Sequence, residues 1–272
     1  MKKIIVLGSK GMLGQMVCLY FTNEKFEVIV FDKRFTENNF ISYFDELNSF
    51  EDGIVINCIG RIKQKSEEAF DLLWANSILP LSLARSLKSS HILIQPSTDC
   101  VFDGHNNIPY NILDIHTASD VYGWSKSLGE TAISGRPNSL IIRVSIIGPD
   151  NYSNKGLLAW FLNNPSSSTL NGFINHFWNG ITTLEWCKRL HEIISDDKLL
   201  IKYLNKQIVQ MGTTKTYSKF EMLNLFNKIF DTDFQINRTE SDDINRCLFP
   251  EIETKSLEDQ LTELKHFYYK KK

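Results

Sequence analysis

The five cysteines of this 272-residue chain form no CxxC pair and none stands in CxxH spacing. Zinc binding and a disulfide framework both lack their sequence signature, so reduced thiols are expected, and no metal. Long apolar runs are missing too. Ile4 to Leu7 follows two lysines but stops at Gly8, too short for the apolar core of a secretory leader. No stretch approaches the ~18 apolar residues of a membrane span. Charge of one sign is also lacking: 30 basic residues face 32 acidic ones, a net charge of -2. That balance gives no whole-chain attraction to nucleic acid. These absences leave a soluble, cytoplasmic protein with neither nucleic-acid nor membrane partners. The terminal Lys270, Lys271 and Lys272 read as a frayed tail.

What is present is an ordinary soluble composition, 42% hydrophobic and 23% charged. In the first half, short apolar runs alternate with helical spacing. Strands are expected at Ile4–Leu7, Val28–Phe31, Ile54–Ile59, His91–Gln95 and Leu140–Val144. Helices are expected after Gly11, over Leu72–Leu87 with Pro80 as a kink or first turn, and over Ala118–Ile133. Alternation of this kind predicts α/β architecture: a Rossmann, doubly wound parallel sheet with helices on both faces. After Gly148 the composition shifts to Asn, Ser, Gly and aromatics. The expected division is a dinucleotide-binding part, 1–148 with about 180–212, and a smaller C-terminal substrate lobe, 149–179 with 213–272. In these later stretches Leu184–Ile194 and Phe220–Phe230 read as helices and Ile208–Met211 as a strand.

Gly8, Gly11 and Gly14 directly follow the first strand and open the first helix, in GSKGMLG. A tight turn, close backbone approach to a pyrophosphate and close helix–strand packing each call for a residue without Cβ. The helix N-terminus then offers N–H groups to phosphates. The spacing is GxxGxxG rather than GxGxxG, and an ordinary βα turn is the plainer alternative. Asp32 ends the second strand, where a carboxylate suits the ribose hydroxyls of NAD. Lys10, Lys33 and Arg34 lie beside it and suit the 2′-phosphate of NADPH, or are solvated loop charges. NADPH is the expected cofactor, with NADH the alternative.

Tyr122 and Lys126, in YGWSK, stand at i and i+4 and share one helix face. A phenol beside an ammonium has its pKa pulled toward working pH, which suits a proton donor to a ketone receiving hydride. Thr98 follows an apolar strand, where active sites of open α/β sheets lie, and its hydroxyl is placed to polarise a carbonyl.

GSKGMLG, STDCVFDG, VYGWSKSLGE and IIRVSIIGP, in this order, resemble the extended short-chain dehydrogenase/reductases, and among them the dTDP-4-dehydrorhamnose reductase family. The resemblance covers the first half well and the second only in outline. It implies Thr98, Tyr122 and Lys126 as a catalytic triad. Met12 and Leu13 would lie at the pyrophosphate, and Cys58, Ile59 and Gly60 at the adenosine and ribose side. Asn76 would support the site, and Arg246 would meet a sugar-nucleotide diphosphate. It implies reduction of a nucleotide-linked 4-keto-6-deoxy sugar by a homodimer.

The chain departs from that pattern at Cys100, where the family carries Tyr. In the similar GDP-fucose synthase family this position is an acid/base cysteine paired with a histidine. The resemblance therefore raises a second step, C3 epimerisation, with His176 as partner; a small buried apolar residue is the alternative. Asn57–Gln64 also departs. Arg61 and Lys63 either reach a phosphate or face solvent. A UDP-linked 2-acetamido sugar is the preferred substrate, with Phe102, Asn175 and Trp178 as further substrate contacts. The competing readings are an epimerase or dehydratase that retains NAD, and a non-catalytic dinucleotide-binding subunit.

Overall fold

The computed structural model describes residues 2–63, 68–151 and 155–269; the lysines at 270–272 lie outside them. The first strands are β1 (Lys3–Leu7), β2 (Glu27–Phe31), β3 (Ile54–Asn57), β4 (Ile92–Ser97) and β5 (Ser139–Arg143). They join Ile208–Thr213 and Ile252–Thr254 in one seven-stranded sheet. Every pair in it is parallel, with Ile4 opposite both Val28 and Ile54.

β1 illustrates why such runs are apolar throughout. Ile4 and Val6 face the layer that holds the helices Met12–Asn23 and Thr183–Ser195. Ile5 and Leu7 face the opposite layer, with Tyr43, Leu79 and Leu83. A strand covered on both faces favours apolar side chains at every position. The expected Rossmann fold is observed.

β1 lies between β2 and β3, so the chain order reverses there. Crevices at such switch points, outside the carboxyl ends of the strands, are where α/β proteins bind ligands. Gly8 and Cys58 sit at that end, and the Cys58 N–H donates to Leu7 O at 2.9 Å.

Two differences from the sequence expectation concern elements. The helix expected at Leu72–Leu87 is broken into Ala69–Leu73, a π turn at Trp74–Ile78 and Leu79–Ser86. Pro80 lacks the N–H that would bond the Asn76 carbonyl in an α-helix. Ile252–Thr254, counted with the lobe, is instead the edge strand of the central sheet, with Met211 opposite Ile252.

The lobe contains His176–Trp178 between Tyr217–Ser218 and Ile244–Asn245, and Thr169–Phe173 beside Gln235–Thr239. Its helix Lys219–Phe230 starts at a Ser218–Glu221 capping box. Leu170, Phe226 and Phe234 join the same apolar cluster as Ile4 and Val6, so lobe and sheet share a core.

Candidate active site

A cleft of about 630 Å³ opens at the carboxyl ends of β1, β3 and β4 and runs toward the lobe. Gly11, Met12, Leu13, Cys58, Ile59 and Gly60 line one end; Thr98, Cys100, Tyr122, Lys126 and Arg246 line the rest. Residues from these three strand ends and from two later segments, Asp150 with Lys155 to Leu157 and Arg246, thus meet in one cavity.

The three turn glycines do different things. Gly8 has φ +76°, and a Cβ there would lie 2.9 Å from the Ile59 nitrogen. At Gly14 a Cβ would come within 2.2 Å of the Gly8 carbonyl oxygen. These two close the turn on the loop after β3 and the helix on the turn. At Gly11 the nearest contact of a Cβ is 3.4 Å, so the protein itself tolerates one. Gly11 instead keeps the backbone bare toward the cleft, at the start of a helix with no side-chain cap. Uncovered N–H groups beside a missing side chain fit a dinucleotide pyrophosphate.

Asn76 holds the other wall. Its Oδ1 accepts from the Arg61 N–H at 3.0 Å, and its Nδ2 donates to the Arg61 carbonyl at 2.9 Å and to Ser125 Oγ at 3.0 Å. Gly129 packs on the Asn76 carbonyl; a Cβ there would be 2.1 Å from that oxygen. Gly129 thus lets its helix approach the π turn and Pro80 closely.

At the end of β2, Asp32 accepts from Ser9 Oγ at 2.7 Å, and Lys10 Nζ is 3.9 Å from its other oxygen. Arg34 is exposed. Lys33 differs from expectation: its ammonium is bound to Glu46 at 2.7 Å and to the Ser42 carbonyl at 2.8 Å. It is turned onto the helix Phe40–Leu47 and does not complete a three-cation ribose site.

Tyr122 and Lys126 lie on the helix Val121–Ile133, capped by Asp120 Oδ1, which accepts from the Gly123 N–H at 2.8 Å. Gly123 lets this helix touch the turn after β4, since a Cβ there would come within 2.2 Å of the Cys100 carbonyl oxygen. Lys126 Nζ donates to the Pro96 carbonyl at 2.8 Å. Burial lowers its pKa to about 8, against the opposing pull of Glu130. Burial also raises the Tyr122 phenol, with the neighbouring Cys100 adding to the rise and a Thr98 hydrogen bond opposing it. The expected lowering by the ammonium is not found here: burial decides, and the phenol holds its proton. Burial and Asp99 push the Cys100 thiol up to about 12, away from a thiolate base. Thr98 Oγ1 donates to Asp99 Oδ1 at 2.9 Å rather than pointing a free proton into the cleft.

Beneath Lys126 lies a buried network not anticipated from sequence. Arg143 grips Glu130 with two hydrogen bonds, at 3.2 and 2.8 Å, and Ser97 Oγ donates to the same carboxylate. His116 accepts from Arg143 at 2.8 Å. Arg143, a cation closing the apolar run Leu140–Ile142, is the signal that could have pointed to a buried partner.

Of the expected substrate contacts, Arg246 lines the cleft, and its Nε donates to the Phe102 carbonyl at 3.0 Å. The others are used elsewhere. Phe102 is fully buried, stacked on Tyr110 with ring centres 4.1 Å apart. Asn175 pins the turn at 241–243 through Ser241 and Asp243. His176 is bonded to Ser241 Oγ at 2.6 Å and stacked on Phe173. It does not line the cleft, and among the described residues that do, none is a histidine that could partner Cys100. Trp178 is buried, its indole N–H donating to Ser145 Oγ at 2.8 Å. Arg61 and Lys63 do line the cleft but face Asp71 and Asp120 at 3.7 and 2.9 Å.

A Rossmann sheet, a glycine turn at its switch point and a Tyr–Lys helix beside Thr98 define an extended short-chain dehydrogenase/reductase. The chain belongs to the family described as RmlD substrate binding domain, whose profile matches residues 1–167. A dTDP-4-dehydrorhamnose reductase of Aggregatibacter actinomycetemcomitans is 29% identical over 153 residues, 53% of this chain and 51% of that one. The methionine adenosyltransferase 2 subunit beta of Danio rerio is 28% identical over 160 residues, 54% of this chain and 48% of that one. The matched stretch thus spans about half the length of either relative. In fold, the chain is similar to dTDP-4-dehydrorhamnose reductase from Bacillus anthracis str. Ames in complex with NADP. The TM-score is 0.81 at 17% identity, covering 99% of this chain and 100% of that one. Among the described residues no helix is long and apolar enough to cross a membrane.

Proposed function

We propose that the chain is an NADPH-dependent reductase of a nucleotide-linked 4-keto-6-deoxy sugar. The observation that carries this reading is a single cleft joining the bare Gly11 backbone to Tyr122, Lys126 and Thr98. The dTDP-4-dehydrorhamnose reductase relative and the NADP-bound neighbour of like fold support it.

When bound, the reduced nicotinamide supplies a hydride for the ketone carbon. Gly11, Met12 and Leu13 hold the pyrophosphate at the helix N-terminus, and Cys58, Ile59 and Gly60 form the wall beside it. Lys10 and Arg34 are the cations left for a 2′-phosphate, with Asp32 at the ribose. Lys126 holds the nicotinamide ribose. Tyr122, kept protonated by burial, gives its proton to the ketone oxygen. Arg246 meets the diphosphate, whose binding energy positions the ketone.

Trp124 and Leu128 on the Tyr122 helix are exposed, as are Ile78 and Leu81 on the elements packed against it. This face supports a homodimer, which light scattering in solution tests.

C3 epimerisation is a second reading, because Cys100 lines the cleft. Its raised thiol suits proton donation rather than abstraction. Reduction in heavy water checks it: the reading predicts deuterium at C3, and a product without it removes the step. With Asn175 and Trp178 used in the lobe, the acetamido substituent rests on assay alone. The deciding experiment follows NADPH absorbance with dTDP- and UDP-linked 4-keto-6-deoxy sugars, the latter with and without the 2-acetamido group. Oxidation in one arm names the nucleotide; none in any arm, with NADPH bound, contradicts the reductase. Tightly co-purifying NAD would then favour the epimerase or dehydratase reading, and its lack the non-catalytic subunit.

A further inference from the structure

We propose that Ser145 is a sugar-binding residue of the cleft, its hydroxyl held by the Trp178 indole so that its proton is left for a hydroxyl of the ketosugar. This rests on the reductase reading above.

Ser145 lies just past the end of β5, is half-buried and lines the cleft. Arg143 stands opposite Ser97 in the sheet, so the chain leaves β5 beside Thr98. Along the sheet the cleft residues follow in order: Gly11 after β1, Cys58 after β3, Thr98 after β4 and Ser145 after β5. Ser145 is thus on the side of Thr98 away from the glycine turn.

A hydroxyl has one proton and two lone pairs, and an indole N–H can only donate. The Trp178 indole therefore fills one lone pair of Ser145 Oγ, at 2.8 Å. Among the described residues no other group bonds this hydroxyl, so its proton and second lone pair remain. A sugar hydroxyl, donor and acceptor in one, matches what is left.

The lobe fixes Ser145 at two points. The Ile181 N–H donates to its carbonyl at 2.9 Å. Gly180 makes room for both contacts: a Cβ there would lie 2.1 Å from that carbonyl oxygen and 2.5 Å from Trp178 Cζ2. Trp178 itself is 4% exposed, with the Lys219 ammonium 5.8 Å from its ring centre. A buried indole N–H needs a partner, and Ser145 is the one it has. The strand of Trp178 also pairs with the strand before Arg246, Phe177 opposite Asn245. Trp178 and Arg246 each follow that pair directly. One lobe sheet thus sets both Ser145 and the proposed diphosphate contact, which suits a ligand carrying a sugar next to its diphosphate.

The test uses the full chain with Ser145→Ala, Trp178→Phe and the double variant. Calorimetry follows three probes: the dTDP- and UDP-linked ketosugars with NADP+ present, the free nucleoside diphosphates, and NADPH. Ser145→Ala is expected to weaken ketosugar binding about tenfold and to leave the other two probes within about twofold. In turnover it should raise KM for the ketosugar by a like factor, with kcat within about threefold. Trp178→Phe should weaken ketosugar binding about threefold or more, and the double variant should bind no more weakly than Ser145→Ala, because the indole acts through that hydroxyl. Losses that multiply, or full affinity in Trp178→Phe, overturn the positioning by Trp178; where that variant fails to fold, Ser145→Ala decides alone. Weakening shared equally by the nucleoside diphosphate, the pattern of a distorted cleft, overturns the proposal. So does weakening confined to NADPH, which would put the hydroxyl at the nicotinamide, or none at all. A parent protein that binds neither ketosugar contradicts the proposal and the reductase reading together. One that binds a ketosugar through Ser145 yet oxidises no NADPH counts against the reductase reading alone.

Discussion

The cleft wall built by the first half and the wall offered by the lobe treat polar side chains in opposite ways. Around β1, β3 and β4, backbone constraints bring Gly11, Thr98, Tyr122 and Lys126 to one cavity. In the lobe, Asn175, His176 and Trp178 bond to their own surroundings and hold turns and packing in place. Arg246 is the expected lobe contact that reaches the cleft. A residue type suited to recognition does not make a contact; a backbone that has nowhere else to put it does.

Variants can sharpen or break that contrast. The largest effect is expected from Tyr122→Phe, which removes only the proton donor. It should lower kcat by about 10²- to 10⁴-fold in an NADPH absorbance assay, with the fold unchanged by circular dichroism. Next is Glu130→Gln, which leaves the Arg143 charge buried without its partner; Arg143 is 1% exposed. A loss of about 3 kcal/mol is expected in a denaturant titration. Gly14→Ala follows, at about 1–3 kcal/mol with weakened NADPH binding, because the new methyl meets the Gly8 carbonyl. A calorimetric titration and a melting curve on one sample would check both.

Smaller effects concern pH and the lobe. Lys126, with its pKa lowered to about 8, carries charge below that pH and loses it above. If its ammonium holds the ribose, NADPH affinity falls as pH rises through about 8, and Lys126→Met removes that limb. The free-protein linkage has the opposite sign. A lysine lowered from 10.5 binds fewer protons folded than unfolded between about 8 and 10.5, so its own contribution to stability rises with pH there. The smallest effect is expected from His176→Gln: activity within about twofold, with a stability loss of about 1 kcal/mol from its hydrogen bond to Ser241. A loss as large as that of Tyr122→Phe would place His176 in the chemistry and undo the contrast.

Much of the first half was legible because its constraints are local. Ile4–Leu7 reads as a buried strand since both its faces are covered, and YxxxK reads as one helix face. That Gly123 makes room for the turn after β4 was not legible, although the glycine inside YGWSK was a hint of close approach. Ile252–Thr254 was missed because a three-residue, partly exposed edge strand carries almost no apolar signal. The Glu130–Arg143–Ser97 network depends on residues brought together by three separate elements. Lys33 looked available beside Asp32 until the fold placed Glu46 opposite it.

The most direct test of the account is the rate of NADPH oxidation by the parent protein and by Tyr122→Phe, with dTDP- and UDP-linked 4-keto-6-deoxy sugars side by side. The account predicts steady oxidation with one of them and its loss, by at least about 100-fold, in the variant. Oxidation that survives Tyr122→Phe, or none from a parent protein that binds NADPH, would contradict it.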